Sequence, residues 1–336
     1  MYLLPLLFLI SLAFAQEPTG EVGSGSGSAS ADFFRHPSGS KNYSESWDYV
    51  FVLDNGAKAY VTYTWLNSSN EVGTQFSIWN FRNKSANVGR IYPKERYSEN
   101  KTTNVISIKD EYKMENLPGK DHRVLFTADK NGKFFLDLKF TSAQTGKIPG
   151  NGVFNVDGQM YGLYVHIPYG RVEGRIGINE DTVAIKGYGY MDHSWTSAEA
   201  TAVVARSFVF STTTLEKNAS KIAGRVNVSP KGTVFGYAIP VIEGALAEPV
   251  QPVQILDNGS NYNNTKKFPG NMEIKWNRED VPPLSFAVAP QEKFALLANL
   301  GLPKIVISAK GGEIYHLRGR SKTDSWGRVD WSLSGK

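Results

Sequence analysis

The sequence has 336 residues, of which 41% are hydrophobic and 12% aromatic, and it contains no cysteine. The missing cysteine excludes disulfides, thiol catalysis and cysteine-ligated metal sites, while the length is sufficient for a large hydrophobic core. The formal net charge of +5 is small for this length, and the basic residues are interspersed with acidic ones. This charge pattern argues against nucleic acid as the partner.

The first thirty-one residues differ in composition from the rest of the chain. Residues 1–15 are a short apolar run that closes on Ala13-Phe14-Ala15, which predicts a signal peptide and a secreted or periplasmic protein. Residues 16–31 contain a Gly/Ser/Ala run from Gly23 onward, which predicts a flexible linker. No later apolar stretch reaches the roughly 20 residues that a transmembrane helix needs.

Asn-x-Ser/Thr sequences, the acceptor sites of N-glycosylation, recur along the chain. They begin at Asn42, Asn67, Asn83, Asn100, Asn218, Asn227, Asn258 and Asn263. In a host that glycosylates, such sites belong on surface loops, so this pattern favours a secreted glycoprotein.

From Trp47 onward the chain consists of short aromatic and β-branched runs. Two runs, 49–53 and 59–65, flank Asn55-Gly56 and predict a β-hairpin. A second hairpin is predicted over residues 122–141. Further strands are predicted at 76–79, 105–108, 160–167, 171–176, 183–195, 203–211, 222–228, 234–239, 272–276, 305–308, 313–318 and 325–333.

Helical patterns are scarce in this sequence. Only 197–205 and 291–300 are candidates, and the Ala-rich first of them is ambiguous. Many short strands separated by turns are typical of β-barrels and β-sandwiches. We expect an all-β chain with a domain boundary just after Trp195, giving an N-terminal β domain over 32–196 and a C-terminal one over 197–336.

The chemically richest stretch is Gly187–Trp195. In a strand, successive side chains point to opposite faces. His193 and Trp195 should therefore share one face, and Tyr188, Tyr190, Asp192 and Ser194 the other. Gly187 and Gly189 indicate that another part of the chain or a ligand approaches closely.

The residues around this stretch resemble a known family. The order Tyr164–Pro168, Gly170–Gly174 and then Gly187–Trp195 is similar to that of the carotenoid 1,2-hydratase (hydroxyneurosporene synthase)/AttH-like proteins, and more distantly to the fungal lipocalin-type Diels–Alderases. The match spans Tyr161–Trp195. The chain has Thr196 where the hydratases continue with glycine, and no Tyr-x-Asp element follows near Phe235–Tyr237. These departures weaken the prediction of carotenoid hydration more than they weaken the prediction of the fold.

The resemblance implies two tandem lipocalin-like (calycin) β-barrels packed together, with a pocket for a long hydrophobic molecule. It also implies that His193 and Trp195 belong to an active site. The candidate catalytic side chains are Asp192, His193, Trp195 and Tyr190, and the candidate ligand-binding side chains are Tyr164, His166 and Tyr188.

Hydration of an isolated alkene needs an acid, an aromatic wall for the carbocation and a positioned water. Asp192 or protonated His193 could supply the proton, and Trp195 with a tyrosine could stabilise the cation by about 0.5–2 kcal/mol each. A purely structural role is equally open, in which Asp192 caps a turn or pairs with an arginine such as Arg171 or Arg175, and Trp195 closes a barrel end.

Other chemistries find little support in the sequence. Five histidines without close His/Asp/Glu spacing argue against a zinc site. The Gly-rich segment precedes no strand–helix unit and is not a phosphate loop, and no Gly-x-Ser-x-Gly elbow leads into a helix. We therefore expect no cofactor and no metal.

Three functions remain open from the sequence. The first is a binder or carrier of a hydrophobic small molecule, such as an isoprenoid or lipid, and the second is a cofactor-independent hydratase or cyclase; both use an apolar pocket. An enzyme requires Asp192 or His193 exposed to the cavity, whereas a carrier tolerates both in the wall. The third is a carbohydrate-binding β-sandwich with exposed tryptophans. The sequence does not predict the oligomeric state.

Overall fold

The computed structural model describes residues 19–24, 33–116, 122–129, 133–141, 145–211, 219–242, 244–257, 271–292, 312–320 and 326–334. Within these ranges the chain forms two antiparallel β-sheets. Helical structure is limited there to a 3₁₀ turn, Lys94–Arg96, and the short helix α1, Ala200–Val203.

The first sheet contains all the described strands up to residue 196. They are β1 (Glu21–Val22), β2 (Ser44–Leu53), β3 (Lys58–Leu66), β4 (Glu71–Phe81), β5 (Lys84–Pro93), β6 (Tyr97–Asn100), β7 (Val105–Ile108), β8 (Tyr112–Asn116), β9 (His122–Ala128), β10 (Phe134–Phe140), β11 (Val153–Val156), β12 (Gln159–Ile178) and β13 (Asp181–Thr196). The second sheet contains β14 (Arg206–Ser211), β15 (Ala219–Val228), β16 (Val234–Ile242), β17 (Ala245–Leu246), β18 (Pro252–Asp257), β19 (Asn271–Trp276), β20 (Leu284–Glu292), β21 (Gly312–Arg320) and β22 (Trp326–Ser334).

Eleven described strands of the first sheet form a nearly closed antiparallel barrel. Their order is β5-β4-β3-β2-β13-β12-β10-β9-β8-β7-β6, with β1 and β11 attached beside β12. Strands β9 and β10 alternate buried and more exposed residues, as expected for strands with one face in a core. The Tyr63 hydroxyl on β3 donates to the Leu125 carbonyl on β9 at 2.7 Å, so opposite walls meet across a filled interior.

The second sheet packs on the outside of this barrel. The strand order is β17-β16-β15-β14-β22-β21-β20-β19-β18. An apolar layer joins the two sheets, with Leu163 and Tyr190 on one side and Phe235 and Ile239 on the other. The Tyr237 hydroxyl accepts a hydrogen bond from the Val165 backbone N–H at 2.7 Å. The all-β prediction is confirmed.

The predicted secondary structure agrees with the observed elements at most positions that can be compared. The first hairpin is β2–β3, joined through Asn55-Gly56, and the second is β9–β10. In the ambiguous segment 197–205, Ala200–Val203 is helical. The other helix candidate was 291–300. Its first two residues are the last two of strand β20, and the remaining ones lie outside the described residues. The predicted strand at 305–308 and the predicted signal peptide also lie outside them.

Part of the predicted linker is a strand. Glu21 and Val22 pair with Asn155 and Phe154 of β11, and the Gly23 N–H donates to the Val153 carbonyl at 2.8 Å. These two residues precede the Gly/Ser/Ala run and are held by backbone hydrogen bonds to the edge of β11, which composition does not reveal. Residues 25–31 of the run lie outside the described residues, so the flexible linker there stays a prediction.

The glycosylation sequences lie in different environments. Asn42, Asn83 and Asn100 are exposed. The Asn67 side-chain amide donates to the Ser40 carbonyl at 2.7 Å, and Asn227 is fully buried. A glycan has no room at Asn227 in the folded chain, which corrects the expectation of a surface loop there.

Candidate functional site

Two rows of inward-facing side chains cross strands β13, β2 and β3 at one end of the barrel. The antiparallel register places Trp195 opposite Glu45, and Glu45 opposite Trp65. One row deeper, His193 lies opposite Trp47. Directly opposed residues on one face of a sheet lie close enough for their side chains to interact. A carboxylate is thus placed among indole and imidazole rings.

Glu45 lies at the centre of the hydrogen bonds at this end of the barrel. Its fully buried carboxylate Oε1 lies 2.6 Å from His193 Nε2 and 2.9 Å from His36 Nδ1, and it accepts the His36 backbone N–H at 2.9 Å. The Tyr43 hydroxyl donates to Oε2 at 2.7 Å. Burial raises the pKa of Glu45, but the hydrogen bonds from His193 and His36 outweigh it and bring the pKa to about 2. Glu45 is therefore an ionised carboxylate shared by two imidazoles; we call His36, Glu45 and His193 the Glu45 cluster.

The rings around the Glu45 cluster form a stack that leads outward. The His193 ring is fully buried and stacks on Trp47, with 4.6 Å between centroids. The His36 ring stacks on Trp195 at 4.0 Å, and its side chain is 25% exposed. His36 is thus the member of the cluster that reaches the surface.

The Glu45 cluster also has donor atoms within range of a metal ion. The ligand atoms of His36, Glu45 and His193 lie within 4.8 Å of one another, a grouping that sequence spacing did not reveal. Two ligands of one tetrahedral zinc ion lie about 3.3 Å apart, given metal–ligand bonds of about 2.0–2.1 Å. The 2.6 and 2.9 Å separations from Glu45 Oε1 are instead those of hydrogen bonds. We therefore interpret the cluster as hydrogen-bonded.

Trp195 lies over a glycine of the neighbouring strand. Gly162 is directly opposite Trp195 in the β12–β13 pair, and a Cβ atom at 162 would overlap the indole ring. The Tyr164 ring meets the same indole edge-on at 4.8 Å. Gly162 therefore creates the space in which Trp195 lies between Tyr164 and His36.

Gly162→Ala is expected to displace the Trp195 indole and to lower the free energy of unfolding by about 1–3 kcal/mol, because the added methyl overpacks the site. Near-ultraviolet circular dichroism would report the ring movement, and urea unfolding the stability. Gly39→Ala is the matched control, since a Cβ there meets no atom within 4 Å. Equal spectra for wild type and Gly162→Ala would contradict this role of the glycine.

The opposite face of β13 carries a second buried polar group, which joins the two sheets. Arg225 on β15 donates through Nε to Asp192 Oδ2 at 2.9 Å and through Nη2 to Asp48. The Tyr190 hydroxyl donates to Asp192 Oδ2 at 2.7 Å, and the Tyr60 hydroxyl donates to Asp48. We call Arg225, Asp192, Asp48, Tyr190 and Tyr60 the Arg225 cluster.

The arginine partner of Asp192 is thus Arg225, and the suggested pairing with Arg171 or Arg175 is wrong. Both of those side chains are exposed on β12, whereas Asp192 is fully buried against the second sheet. Side-chain alternation correctly placed Asp192 opposite to His193 but could not show which strand of another sheet packs there.

Asp192 has an unusual protonation equilibrium. Burial raises its pKa and Asp48 adds to this, while Arg225 lowers it, and the pKa lies at about 7. Its Oδ1 atom has no hydrogen-bond partner among the described residues. The titratable groups around Asp192 are Asp48, Tyr60, Tyr161, Tyr190, Arg225 and Tyr237.

This pKa predicts a pH-dependent stability. The unfolded carboxyl loses its proton near pH 4, whereas the folded one keeps it up to about pH 7. Because the folded state then binds more protons, stability should fall by about 2–4 kcal/mol as the pH rises from about 4 to about 7. Urea unfolding across this range should show the decline in wild type and a smaller one in Asp192→Asn. Parallel curves for the two proteins would contradict the raised pKa.

The remaining predicted site residues, Tyr164, His166 and Tyr188, lie in two different places. His166 is buried with its ring centroid 5.8 Å from that of His193, and Tyr164 lies beside it at 6.2 Å. These two therefore belong to the barrel-end site. Tyr188 lies elsewhere on β13, stacked on Tyr169 at 4.7 Å with the Lys221 ammonium over both rings.

Three polar residues at the centre of these clusters were missed from the sequence. They are His36, Glu45 and Arg225. A signal existed for Glu45, because Tyr43, Trp47, Tyr49 and Phe51 occupy the same alternating face of one strand. A carboxylate in such an aromatic series requires a buried partner. His36 and Arg225 carry no comparable local signal.

The comparison with solved structures places this fold among known ones. An AttH-like protein from Nitrosomonas europaea matches 99% of this chain and 99% of its own, with a TM-score of 0.61 and 14% identity. Kievitone hydratase from Nectria haematococca matches 94% of this chain and 97% of its own (TM-score 0.52, 13% identity). CghA with Sch210972 matches 88% of this chain and 89% of its own (TM-score 0.52, 11% identity). The resemblance to AttH-like proteins is confirmed at the level of the fold.

Two comparisons at the level of the sequence found nothing. No protein-family model matches the chain, and no match was found among curated proteins. In the part of the chain that the structure describes, no helix is long and apolar enough to cross a membrane.

Proposed function

We propose that the chain binds a hydrophobic small molecule, such as an isoprenoid or lipid, at the barrel end beside Trp195 and transfers protons to it through the Glu45 cluster. The observation that carries this proposal is the ionised Glu45 carboxylate, buried between His193 and a partly exposed His36. A histidine held by a carboxylate is a suitable general acid or base, and such groups accelerate reactions by about 10²–10⁴-fold.

Hydration of a carbon–carbon double bond is the reaction that suits this arrangement best. His36, protonated, gives its proton to one carbon, and a water oxygen bonds to the other. The proton that this water loses returns to the imidazole, so the residue ends as it began. Trp195, stacked on His36, and Tyr164 supply aromatic surface for a developing positive charge. Proton-induced cyclisation of a polyene uses the same groups without the water.

Several finer features of the proposal rest on the same fold. We infer that the second sheet closes as a further lipocalin-like barrel; its support is the bridge between Ala238 on β16 and Val250, immediately before β18. The division of the chain at residue 196 and secretion through the predicted signal peptide also belong to the proposal. Kievitone hydratase, whose name states a hydration, supports a small-molecule ligand for this fold.

A non-catalytic carrier is the second candidate, and one observation favours it. His193 and Asp192 are both fully buried and bonded within the wall of the barrel, which a carrier tolerates. Under this alternative the Glu45 cluster stabilises the barrel end and His36 only covers the ligand.

Native mass spectrometry and organic extraction would separate the two candidates. Wild type, His36→Ala and Lys41→Ala are compared, the last being an exposed side chain of the same segment. We expect wild type and Lys41→Ala to hold a hydrated or cyclised molecule and His36→Ala to hold its precursor. The same molecule in all three proteins would establish the carrier. Three empty proteins would contradict a hydrophobic ligand and favour carbohydrate binding.

A further inference from the structure

Two cations converge on one tryptophan at the end of the barrel. The Arg35 guanidinium carbon lies 4.4 Å from the centroid of the Trp65 ring, and Lys94 Nζ lies 4.6 Å from it. Trp65 is directly opposite Glu45 in the β2–β3 pair, and Arg35 immediately precedes His36. Trp65 also packs against the hydrophobic cluster that Tyr43, Tyr164 and Trp195 form. The two positive charges therefore border the site proposed above.

The hydrogen-bond partners of these two side chains are neutral. Arg35 Nη1 donates to the His36 carbonyl at 3.3 Å, and Lys94 Nζ donates to Asn67 Oδ1 at 2.8 Å. No salt bridge joins either side chain to a carboxylate of the described chain. The nearby acid Glu99 accepts two other hydrogen bonds through Oε1, from the Arg35 backbone N–H at 2.8 Å and from the Tyr97 hydroxyl at 2.6 Å.

This arrangement leaves two like charges near each other in partly buried positions. Burial and the Arg35 charge lower the pKa of Lys94 and outweigh the Glu95 charge, which raises it, so Arg35 and Lys94 repel each other. The Trp65 ring stabilises each cation only weakly in positions open to solvent. An anion between them would relieve the repulsion and gain charge-assisted hydrogen bonds, for which an arginine fork is well suited.

We propose that Arg35 and Lys94 form an anion-binding subsite, and that the ligand of this protein is an amphipathic molecule with an apolar body and one acidic oxygen group, such as a carboxylate. The proposal rests on the proposed function, because it places the acidic group beside the apolar site at Trp195 and Tyr164. The apolar body would contact these rings, and the acidic group would lie against the two cations. A neutral hydrocarbon would offer the two cations no anionic partner.

Two dyes that differ by a single acidic group test this inference. They are 1-anilinonaphthalene-8-sulfonate and N-phenyl-1-naphthylamine, which share one aromatic skeleton and differ by the sulfonate. Fluorescence titration of the full chain is carried out with both dyes. The test variant is Arg35→Gln/Lys94→Gln. The control is Arg82→Gln/Lys84→Gln, an arginine and a lysine that already pair with Asp181 at 2.7 and 3.3 Å.

We expect the test variant to lose affinity for the acidic dye only. In the test variant, affinity for the sulfonate dye should fall about tenfold or more, while affinity for the neutral dye stays within about twofold. The control variant should bind both dyes with the affinity of wild type. Raising the salt concentration should weaken the binding of the sulfonate dye only.

Other outcomes would overturn the inference in distinguishable ways. If wild type binds both dyes with equal affinity, or if the test variant loses both equally, the cations serve only the packing of Trp65; the apolar site of the proposed function then still stands. If wild type binds neither dye, the apolar site itself is contradicted, and the anion subsite with it.

Discussion

Arg225→Ala is expected to lower the free energy of unfolding by about 3–5 kcal/mol. The side chain is 9% exposed and is bonded to both Asp192 and Asp48, which belong to the other sheet. Its removal takes away the guanidinium that is bonded to two buried carboxylates lying close together. Breaking a buried pair by deleting one member is far more damaging than replacing the whole group, because the remaining charge keeps its desolvation penalty.

The controls for this prediction vary the pH of the measurement and substitute Asp192 or Arg175. The destabilisation should be larger at about pH 8 than at about pH 5.5, since Asp192 holds a proton below about pH 7. Combining Arg225→Ala with Asp192→Asn should recover part of the lost stability. Arg175→Ala, on an exposed side chain, should change stability by less than about 0.5 kcal/mol. Urea unfolding measures all of these.

An equal loss at both pH values would contradict this account. It would mean that Arg225 stabilises the structure through the packing of its aliphatic stem and not through its charge. A double variant no more stable than Arg225→Ala would lead to the same conclusion.

The two clusters explain why one short motif carries so much polar chemistry. Asp192 and His193 are neighbours in sequence, yet they face opposite sides of β13 and belong to different groups. One side faces the barrel interior, where Glu45 holds His193. The other faces the second sheet, where Arg225 holds Asp192. The motif therefore couples the lining of the candidate site to the contact between the sheets.

The sequence predicted which residues share a face but not which residues meet. Alternation along one strand correctly separated His193 and Trp195 from Tyr190 and Asp192, because this separation depends only on strand geometry. The partners lie far along the chain: Glu45 is 148 residues from His193, and Arg225 is 33 residues from Asp192. Such pairs depend on strand order and sheet packing, which local periodicity does not contain.

The fold was predicted by two different kinds of information. Short aromatic and β-branched runs with turn residues between them indicated an all-β chain, and the β2–β3 hairpin followed from Asn55-Gly56. The AttH-like arrangement came from the motif resemblance alone. The predicted runs were shorter than β12 and β13, which continue for 20 and 16 residues. Register shifts between Val165 and Gly170 let β12 continue past Pro168.

The candidate site residues within Tyr161–Trp195 were predicted from the sequence, whereas the residues outside this segment that contact them were missed. Trp195, His193, Tyr164 and His166 do lie together, as expected from their shared face and from the resemblance. His36 was missed because the segment 33–40 contains no regular strand or helix from which to infer a direction. The role of each residue in a reaction remains part of the proposal.

Glu45→Gln is expected to have the largest effect on function and a large effect on stability. The amide cannot hold two imidazole N–H groups as the carboxylate does, so both His36 and His193 lose their charged partner. The folded pKa of about 2 lies below the unfolded value of about 4.3, and this difference corresponds to about 3 kcal/mol at neutral pH. Conversion of the bound ligand should be lost altogether.

The pH dependence and two further variants separate these effects. Because the pKa of Glu45 is lowered by folding, its stabilisation is complete above about pH 4.3 and declines as the pH falls towards 2. The stability difference between wild type and Glu45→Gln should therefore shrink below about pH 4. Tyr43→Phe removes only the hydrogen bond from the Tyr43 hydroxyl to Glu45 and should cost about 1 kcal/mol while conversion persists.

His36→Gln completes the comparison, because it keeps a polar side chain on the exposed side of the Glu45 cluster but removes the group that exchanges protons. We expect conversion to stop in this variant while most of the stability remains, as measured by ligand extraction and urea unfolding on the same preparation. If wild type and His36→Gln hold the same molecule, no proton transfer passes through His36, Glu45 and His193 serve the structure of the barrel end, and the carrier function is the correct one. If Glu45→Gln alone retains conversion, the proton path does not pass through the carboxylate, and His36 must exchange its proton directly with water.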